Sequence, residues 1–471
     1  MSSDAPPRER SFLGNVNIVM LTYAADGLLA FATGVLVARS LGPNGRGAYA
    51  LFIVTAAFGQ LLLGMGIGNA AIYYLNKRLI TLREIMGAVH TIVIASLVVT
   101  AVIVAVIVQI DANFVTVGGY EVGFTGESIF GAGISPWLLV LAVPVLLYMG
   151  LLNLVLQGLS RFGDLGVSTI GQQALMLALV MITFAAGAPD ASDVVLFLCL
   201  ASAAAALYAL VRIGIQHVDL AALIGPRFDV IGRLARWGVQ GEVGNVLQLA
   251  NYRIDQYLVR DFVSLSAVGV YAVGASLTEA VFILANAVAL VLMPRLTAAS
   301  SEDAAVMAPI ASRNTMLIAA AGALALALMA PFVVPPVFGD VFSDSVEPLW
   351  LLLPGTVALT GSKVLTSYIF SQGRPLVNTG ITCVSLVVTI AADVALIPVF
   401  GVNGAALASS LAYGAHFAAA LLAYSRISGQ PALSAVVPRR ADVDLYLDAV
   451  RGFLARAPRP VEAASESRAE T

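Results

Sequence analysis

Long apolar runs separated by short polar segments dominate the chain between residues 16 and 425. An α-helix needs ~20 residues to cross the hydrocarbon core of a bilayer, and each run reaches that length. The runs do not alternate in polarity over ~10-residue segments, as the strands of a membrane barrel would. The pattern predicts an all-α polytopic membrane protein with about twelve transmembrane helices, at 16–38, 47–69, 85–110, 135–157, 165–187, 194–213, 237–259, 267–292, 313–332, 349–370, 376–397 and 404–425.

Composition supports the membrane assignment. The 471 residues are 59% apolar and 11% charged, whereas soluble chains are about 45–50% apolar and about 25% charged. Such a chain has too few polar residues to cover a water-facing surface, so membrane lipids are its expected surroundings. No basic patch is present, and nucleic acid is therefore not an expected partner.

The distribution of Lys and Arg predicts which loops face the cytoplasm. Before the C-terminal tail, thirteen cations fall on one side of the twelve spans, and only Arg39, Arg46 and Arg260 fall on the other. Short cytoplasmic loops carry the excess of cations. Both termini are therefore expected in the cytoplasm.

Two internal echoes indicate a duplicated architecture. The segment from Leu36, LVARSLGPNGRGAYALF, is followed 222 positions later by LVRDFVSLSAVGVYAVG from Leu258. A weaker echo pairs SRFGDLGVST from Ser160 with GRPLVNTGIT from Gly373. An offset of six spans gives both halves the same orientation, which predicts parallel repeats forming two six-helix lobes that face each other. The predicted divisions are a cytoplasmic N-terminus (1–15), an N-lobe (16–213), a cytoplasmic linker (214–236), a C-lobe (237–425) and a cytoplasmic tail (426–471).

Ionisable residues inside the spans mark candidate functional positions, because a charge facing lipid costs ~2.5–3.5 kcal/mol. On the first span, Asp26 lies on a polar stripe with Asn15, Thr22 and Thr33. On the seventh span, polar side chains fall within an arc of about 160°. These stripes have two interpretations: they line a wet cavity, or they form buried hydrogen bonds between packed helices. Asp393, close to Pro398, is equally consistent with an interfacial cap.

No catalytic or cofactor motif appears. The chain lacks G-x-x-x-x-G-K-[ST], G-x-S-x-G and H-E-x-x-H, and its three histidines have no ligand-type spacing. Cys199 and Cys383 lie in apolar runs and predict no disulfide. We therefore expect a protein that is not an enzyme and that carries no metal or cofactor.

Several segments together resemble a known family. They are ARSLGPNGRGAYALF, GMGIGNAAIYYLNK, NYRIDQYLVRDFVSLSAVGVYAVGASLTEAVF, VLMPRLT, FSQGRPLVNT and FGVNGAALASSLAY. Through these segments, which occur in this order, the chain resembles the polysaccharide transporter family of O-antigen and exopolysaccharide flippases. That family lies within the multidrug/oligosaccharidyl-lipid/polysaccharide exporter superfamily. The resemblance implies two six-helix lobes around a central cavity, and outward movement of a lipid-linked oligosaccharide across the cytoplasmic membrane of a prokaryote. Other polysaccharide-assembly proteins are further candidate partners.

The implied substrate has an anionic, hydrated head, so cations and hydrogen-bonding groups within spans become candidate ligands. Substrate-binding candidates are Arg253, Lys363, Asn245, Gln248, Tyr252 and Gln256. Candidates for binding a coupling ion are Asp26, Glu242, Asp255 and Glu279. An ion pair of Arg253 with Asp255 or Glu242 that only holds helices together remains an alternative.

Three other functions remain open. A cation-coupled multidrug or metabolite antiporter of the same superfamily would share the architecture, and the excess of acids over bases within spans favours it. A peptidoglycan-precursor flippase is similar but is expected to have fourteen spans. A membrane glycan polymerase or ligase would need a substantial extracytoplasmic catalytic loop, and the longest outer loop, 111–134, is short.

Overall fold

The computed structural model describes residues 12–112, 116–117, 120–121, 130–131, 133–187, 189–214, 228–437 and 439. Within them the protein is helical, apart from one small antiparallel hairpin of β1 (Thr116–Val117) and β2 (Tyr120–Glu121) and two 3-10 turns. The helices are α1 (Phe12–Gly64), α2 (Ile67–Asn76), α3 (Leu82–Ala112), α4 (Leu138–Gly158), α5 (Phe162–Ala186), α6 (Ala191–Ile213), α7 (Phe228–Phe262), α8 (Leu265–Ala298), α9 (Ser301–Phe338), α10 (Val346–Ser371), α11 (Pro375–Phe400) and α12 (Val402–Ser428).

Ten of the described helices are long and apolar enough to cross a membrane. One of them, α1, contains two predicted spans joined at Gly42, where the backbone leaves helical geometry (φ 62°, ψ −176°) directly before Pro43. The polar helix α7 is not among the ten, but it occupies the position of the seventh predicted span. With α1 counted twice and α7 added, the twelve predicted spans are confirmed.

The helices form two lobes. Helices α1 to α6 pack with one another as the N-lobe, and α7 to α12 pack with one another as the C-lobe. The lobes meet where α1 contacts α8 and where α2 contacts α7. We term the end that holds the α1 bend the outer end and the end that holds the α4–α5 turn the inner end, following the predicted sidedness.

The first sequence echo becomes a reciprocal contact between the lobes at the outer end. A β-carbon on Gly47 would overlap the carbonyl oxygen of Leu265, and a β-carbon on Gly269 would overlap the carbonyl oxygen of Pro43. Gly269 lies 222 positions after Gly47, and Leu265 lies 222 positions after Pro43. A contact in which equivalent residues exchange partners is the pattern that a two-fold axis produces.

The second echo lies in two equivalent turns at the inner end. Ser160 (φ 56°) joins α4 to α5, and Gly373 (φ 71°) joins α10 to α11. The residues that follow, Arg161 and Arg374, also have similar backbone angles, with φ −91°, ψ 57° and φ −114°, ψ 54°. Two unrelated turns would have no reason to share this sequence of conformations, so the repeat extends through both lobes.

Three helix ends lie beyond the predicted lobes, since α1 begins at Phe12, α7 begins at Phe228 and α12 ends at Ser428. Helix α7 begins at Phe228, inside the predicted linker 214–236. Beyond α12, a 3-10 turn at Ala432–Ala435 returns to α9, where Arg313 Nη1 donates to the carbonyl oxygen of Ser434 at 3.0 Å. Residue 438 and the residues after 439 lie outside the described residues.

Candidate functional site: a cavity between the lobes

A cavity of about 510 Å³ lies where the lobes face each other. Small residues of α1, including Gly27, Ala30 and Gly34, form one wall, and α7, α8, α10 and α12 contribute the others. Four residues predicted from the sequence line it, namely Tyr252, Arg253, Glu279 and Lys363. We term it the central cavity.

Arg253 forms an ion pair in the central cavity, but with neither of the partners considered from the sequence. Its Nη2 lies 2.5 Å from Glu279 Oε1 on α8. The side chains are 27% and 47% exposed, so cavity solvent reaches both. The interpretation that Arg253 pairs with Asp255 or Glu242 was wrong, because α8 presents Glu279 closer to it.

Lys363 lies beside an aromatic cluster. Its Nζ is 4.8 Å from the centroid of the Phe282 ring, within the range of a cation–π contact. The Phe282 ring also packs against Tyr252 (6.3 Å, stacked) and Tyr413 (6.4 Å, edge-on). These rings hold the C-lobe wall of the cavity rigid and keep one cation at its surface.

Arg46 is a third cavity cation, although the sequence pattern placed it in an outer loop. The cause is the bend in α1: helical geometry resumes at Pro43, four residues before the predicted start of the second span, and Arg46 lies in the first turn. Its Nε is buried without a hydrogen-bond partner among the described residues. Its guanidinium carbon lies 5.7 Å from the centroid of the Tyr49 ring.

A second cavity of about 340 Å³ lies within the N-lobe. It shares Ala30, Gly34 and Arg46 with the central cavity, so Arg46 marks the boundary between the two. The polar groups that line it, apart from Arg46, are Thr33, Tyr49, Gln60, Gln172 and Gln173. We term it the N-lobe compartment.

A third cavity of about 170 Å³, the inner cavity, continues toward the inner end. Gln60 lines both it and the N-lobe compartment. The predicted residues Glu242 and Asn245 lie here rather than in the central cavity, and Asn245 Nδ2 donates to Glu242 Oε2 at 3.0 Å. The three cavities therefore form a series of adjoining spaces from the inner end to the centre of the protein.

Other predicted residues lie away from these cavities. Asp26 is half-exposed on α1 and lines none of the three. Of the stripe that contains it, Thr33 lines the N-lobe compartment, Thr22 packs near Gly166, and the side chain of Asn15 lies outside the described part.

The polar stripe on α7 divides into two faces. Tyr252 and Arg253 face the central cavity, whereas Gln256 is 2% exposed and lies in the helix interface. Gln248 is half-buried and lines none of the three cavities. One part of the stripe therefore lines a cavity, and another part lies in contacts between packed helices. A stripe about 160° wide faces more than one neighbour.

Asp255 lies in a buried polar cluster of the C-lobe, outside the cavities. Its Oδ2 accepts hydrogen bonds from the Tyr271 hydroxyl and from Ser409 Oγ, the latter at 3.1 Å. One turn earlier on α7, Asn251 Oδ1 accepts from Thr389 Oγ1 of α11 at 2.7 Å. These bonds fix α7 against α8, α11 and α12.

Asp393 follows Thr389 by one turn on α11 and is fully buried, so it is not an interfacial cap. Neither of its carboxylate oxygens has a hydrogen-bond partner in the described part of the chain, and the same is true of Asp255 Oδ1. Each successive helix from α7 to α11 reverses the direction of the chain. Because α11 comes four helices after α7, the two helices run parallel. Each aspartate is one turn beyond the Asn251–Thr389 bond, so the two carboxylates lie at the same level.

The cavity residues that the sequence pattern did not indicate include Arg46, Gln60 and Gln173. Pro43 was a usable signal for Arg46, because proline favours the first position of a helix. A second span that begins at Pro43 instead of residue 47 includes Arg46. Gln60 and Gln173 are uncharged, so the pattern of ionisable residues within spans gave no signal for them. A neutral amide inside a span is also polar where the surroundings are not.

The arrangement defines a two-lobe membrane transporter fold with a polar cavity between the lobes. A family model described as polysaccharide biosynthesis protein matches residues 12–300. The chain therefore belongs to that family. No curated protein matches its sequence.

Solved structures with the same fold include transporters of two kinds. An inward-facing multidrug resistance MATE family transporter of the MOP superfamily has a TM-score of 0.65 and 16% identity, with 86% of this chain and 95% of that chain covered. Lipid II flippase MurJ in an inward closed conformation has a TM-score of 0.65 and 12% identity, covering 92% and 97%. An outward-facing MATE structure has a TM-score of 0.59 and 16% identity, covering 88% and 94%. At these identities the similarity establishes the fold alone.

Proposed function

We propose that the protein is a flippase that moves a polyprenyl-pyrophosphate oligosaccharide from the cytoplasmic to the outer leaflet by alternating access between its lobes, 16–213 and 237–425. The observation that carries the proposal is Arg46, a cation in the cavity whose Nε has no protein partner in the described residues. A buried guanidinium donor without an acceptor is costly, and a phosphate oxygen would satisfy it.

The charge balance of the central cavity supports an anionic substrate. Among the described residues, Arg46, Arg253 and Lys363 line it against a single acid, Glu279, which is already paired with Arg253. A pyrophosphate can interact with Arg46 and Lys363 and compete with Glu279 for Arg253. The lipid tail need not leave hydrocarbon, so only the head requires this polar path.

We also propose that a cation coupled to transport occupies the buried Asp255–Asp393 pair. Asp255 and Asp393 lie at the same level and together have three carboxylate oxygens without a hydrogen-bond partner among the described residues. Two buried carboxylates that are both charged, with no cation bound, cost free energy. A proton or a sodium ion removes that cost. Among the predicted ion-coupling residues, Asp255 is therefore supported over Asp26, Glu242 and Glu279.

The main alternative, a cation-coupled multidrug antiporter, shares the fold of the MATE structures. It would require a cavity that attracts cations, whereas three cations and one acid line the central cavity. A polymerase or ligase would require a catalytic group and a catalytic loop. We propose no catalytic step.

Ligand-dependent thermal stabilisation of the purified protein separates these functions. One probe is the polyprenyl-pyrophosphate glycan fraction extracted from the cells that make the protein, and the other is the cationic dye ethidium. We expect the extract to raise the unfolding temperature and ethidium to leave it unchanged. The reverse result would favour the antiporter.

Variants of Arg46 assign the phosphate contact. Arg46→Ala should abolish stabilisation by the extract, and Arg46→Lys should keep part of it, because Lys retains the charge without the planar pair of donors. Arg233→Ala is the matched control, since Arg233 is exposed on α7 and contacts only Asp229 among the described residues. If the extract stabilised Arg46→Ala as much as the wild type, Arg46 would not be a ligand of the phosphate.

The proposed orientation places both termini in the cytoplasm of a prokaryotic cell. Ser343 lies exposed in the turn between α9 and α10 at the outer end, and Ser434 lies at the inner end beside Arg313. A cysteine at position 343 should react with an impermeant thiol reagent in intact cells, and one at position 434 should not. Labelling only at position 434 would reverse the orientation.

A further inference from the structure

We infer that the N-lobe compartment is the glycan-binding subsite of this transporter, with the carboxamides of Gln60 and Gln173 recognising sugar hydroxyls. The inference rests on the proposed function and extends it, because it assigns the sugar and the phosphate to different parts of the cavity system.

The lining of the N-lobe compartment differs chemically from that of the central cavity. The central cavity contains the Arg253–Glu279 pair and Lys363. The polar groups of the N-lobe compartment are hydroxyls and amides, and Arg46 at its boundary is the one charged residue among the described residues that line it. Charged groups suit a phosphate, whereas neutral groups that both donate and accept suit hydroxyls, which also do both.

Gln60 and Gln173 are available for a ligand. Both are half-buried side chains that line the compartment, and the structure gives neither carboxamide a hydrogen bond within the described residues. The neighbouring Gln172 is different, because its Nε2 donates to Ser202 Oγ of α6 at 2.9 Å. This bond holds Gln172 against α6 and leaves the next residue, Gln173, to face the compartment.

The position of Arg46 connects the two assignments. Arg46 lines both cavities, and the first sugar of a polyprenyl-pyrophosphate glycan is bonded directly to a phosphate. A pyrophosphate bound to Arg46 therefore places the first sugar next to both the central cavity and the N-lobe compartment. Of these two cavities, only the N-lobe compartment has unpartnered amides among the described residues.

The aromatic cluster of the C-lobe is a weaker candidate for the sugar. Rings can stack on sugars, but Tyr252, Phe282 and Tyr413 pack against one another, at 5.8–6.4 Å between centroids. Lys363 Nζ also covers the Phe282 ring. Their faces are largely occupied by these contacts.

Gln60 also suggests the route by which a glycan reaches the subsite. It lines the inner cavity as well, where Asn245 and the exposed Asn69 add further amides. A glycan entering from the inner end would pass from these amides to Gln60 and then to Gln173. Exchange of hydrogen bonds between successive neutral groups avoids the cost of stripping its hydration at once.

Native mass spectrometry of the full-length protein tests the subsite. The probes are undecaprenyl pyrophosphate, which has no sugar, and the polyprenyl-pyrophosphate glycan fraction extracted from the cells that make the protein. The measured quantity is the ratio of glycosylated to sugar-free lipid bound. In the Gln60→Met, Gln173→Met double variant we expect this ratio to fall about tenfold, as for the loss of two neutral hydrogen bonds, with undecaprenyl pyrophosphate bound as before.

Control variants separate recognition from folding. Gln157→Met with Gln372→Met makes the same chemical change at an exposed and a half-buried position outside the three cavities and should leave the ratio unchanged. The single variants Gln60→Met and Gln173→Met should each lower it about threefold. Equal unfolding temperatures of all variants without ligand would show that each is folded.

Two results would overturn the inference while leaving the proposed function intact. One is an unchanged ratio in the Gln60, Gln173 double variant, and the other is an equal loss of both lipids, which would assign these residues to the phosphate or to the shape of the cavity. If the wild-type protein binds neither lipid, the proposed function fails as well.

Discussion

Arg39 of the N-lobe donates a hydrogen bond from Nε to the carbonyl oxygen of Val337 in the C-lobe, at 2.7 Å. Its Nη2 also donates to the carbonyl oxygen of Pro336. Both acceptors lie in the last turn of α9, where helix carbonyls have no partner along the helix and where the helix dipole favours a cation. The outer end is further closed by Thr55 Oγ1 and the Tyr257 hydroxyl, 2.6 Å apart across the lobes.

Removing the Arg39 contact should make the outer end open more often. In a background without Cys199 and Cys383, a cysteine at Ser276, which is exposed in the central cavity, reports access from outside. In Arg39→Ala we expect its reaction with an impermeant thiol reagent to be about three- to tenfold faster, as for loss of one charged hydrogen bond. Arg260→Ala is the control, and equal rates in all three proteins would show that Arg39 does not hold the lobes together.

Gly47 and Gly269 should be equally intolerant of a side chain, because the repeat places each against the other lobe's backbone. A carbonyl oxygen of a helix cannot rotate away as a side chain can. We expect Gly47→Ala and Gly269→Ala each to destabilise the protein by about 1–3 kcal/mol, the range for overpacking. The thermal unfolding midpoint measures this.

Gly322→Ala is the matched control for these two glycines. Gly322 also lies within a helix, but nothing surrounds the position that a β-carbon would take. Alanine there should raise the midpoint slightly, since Gly is disfavoured in helices by up to ~1 kcal/mol. If Gly47→Ala unfolded at the same midpoint as the wild type, the close contact of Gly47 with the backbone of the other lobe would be contradicted.

The sequence predicted the helices and their duplication well, because both depend on local signals. A run of apolar residues defines a span by itself, and the echo at Gly47 and Gly269 keeps its register over 222 positions. These features require no knowledge of which helices are neighbours.

The site was predicted only in part, because it depends on contacts between helices. No pattern on α7 alone shows that Arg253 meets Glu279 of α8 rather than Asp255 of its own helix. Likewise, one polar stripe supplies both the cavity residue Arg253 and the buried Asp255. Sequence periodicity gives the direction of a side chain around its helix but not the identity of the neighbour.

The start of the tail should matter for stability, in contrast to the residues after it. Ala435 is fully buried, and the carbonyl of Ser434 accepts from Arg313. Truncation after Ser428 removes both contacts and should lower the unfolding midpoint, by the equivalent of about 1–3 kcal/mol. Truncation after Val437 keeps them and should leave the midpoint and transport unchanged. Equal midpoints for the two truncations would show that this turn contributes nothing.

Asp393 should be required for coupling to an ion gradient but not for folding. It accepts no hydrogen bond from the described residues, so Asp393→Asn breaks no contact and removes a costly buried charge,. Moving one charge through 100 mV is worth ~2.3 kcal/mol, more than a tenfold bias in favour of outward release. We therefore expect transport of the extracted polyprenyl-pyrophosphate glycans into proteoliposomes to respond to a sodium or proton gradient in the wild type and to lose that response in Asp393→Asn, at equal folded yield. Asp340→Asn, at the exposed outer turn, is the control that should keep the response. A gradient dependence in Asp393→Asn equal to that of the wild type would exclude this carboxylate from coupling.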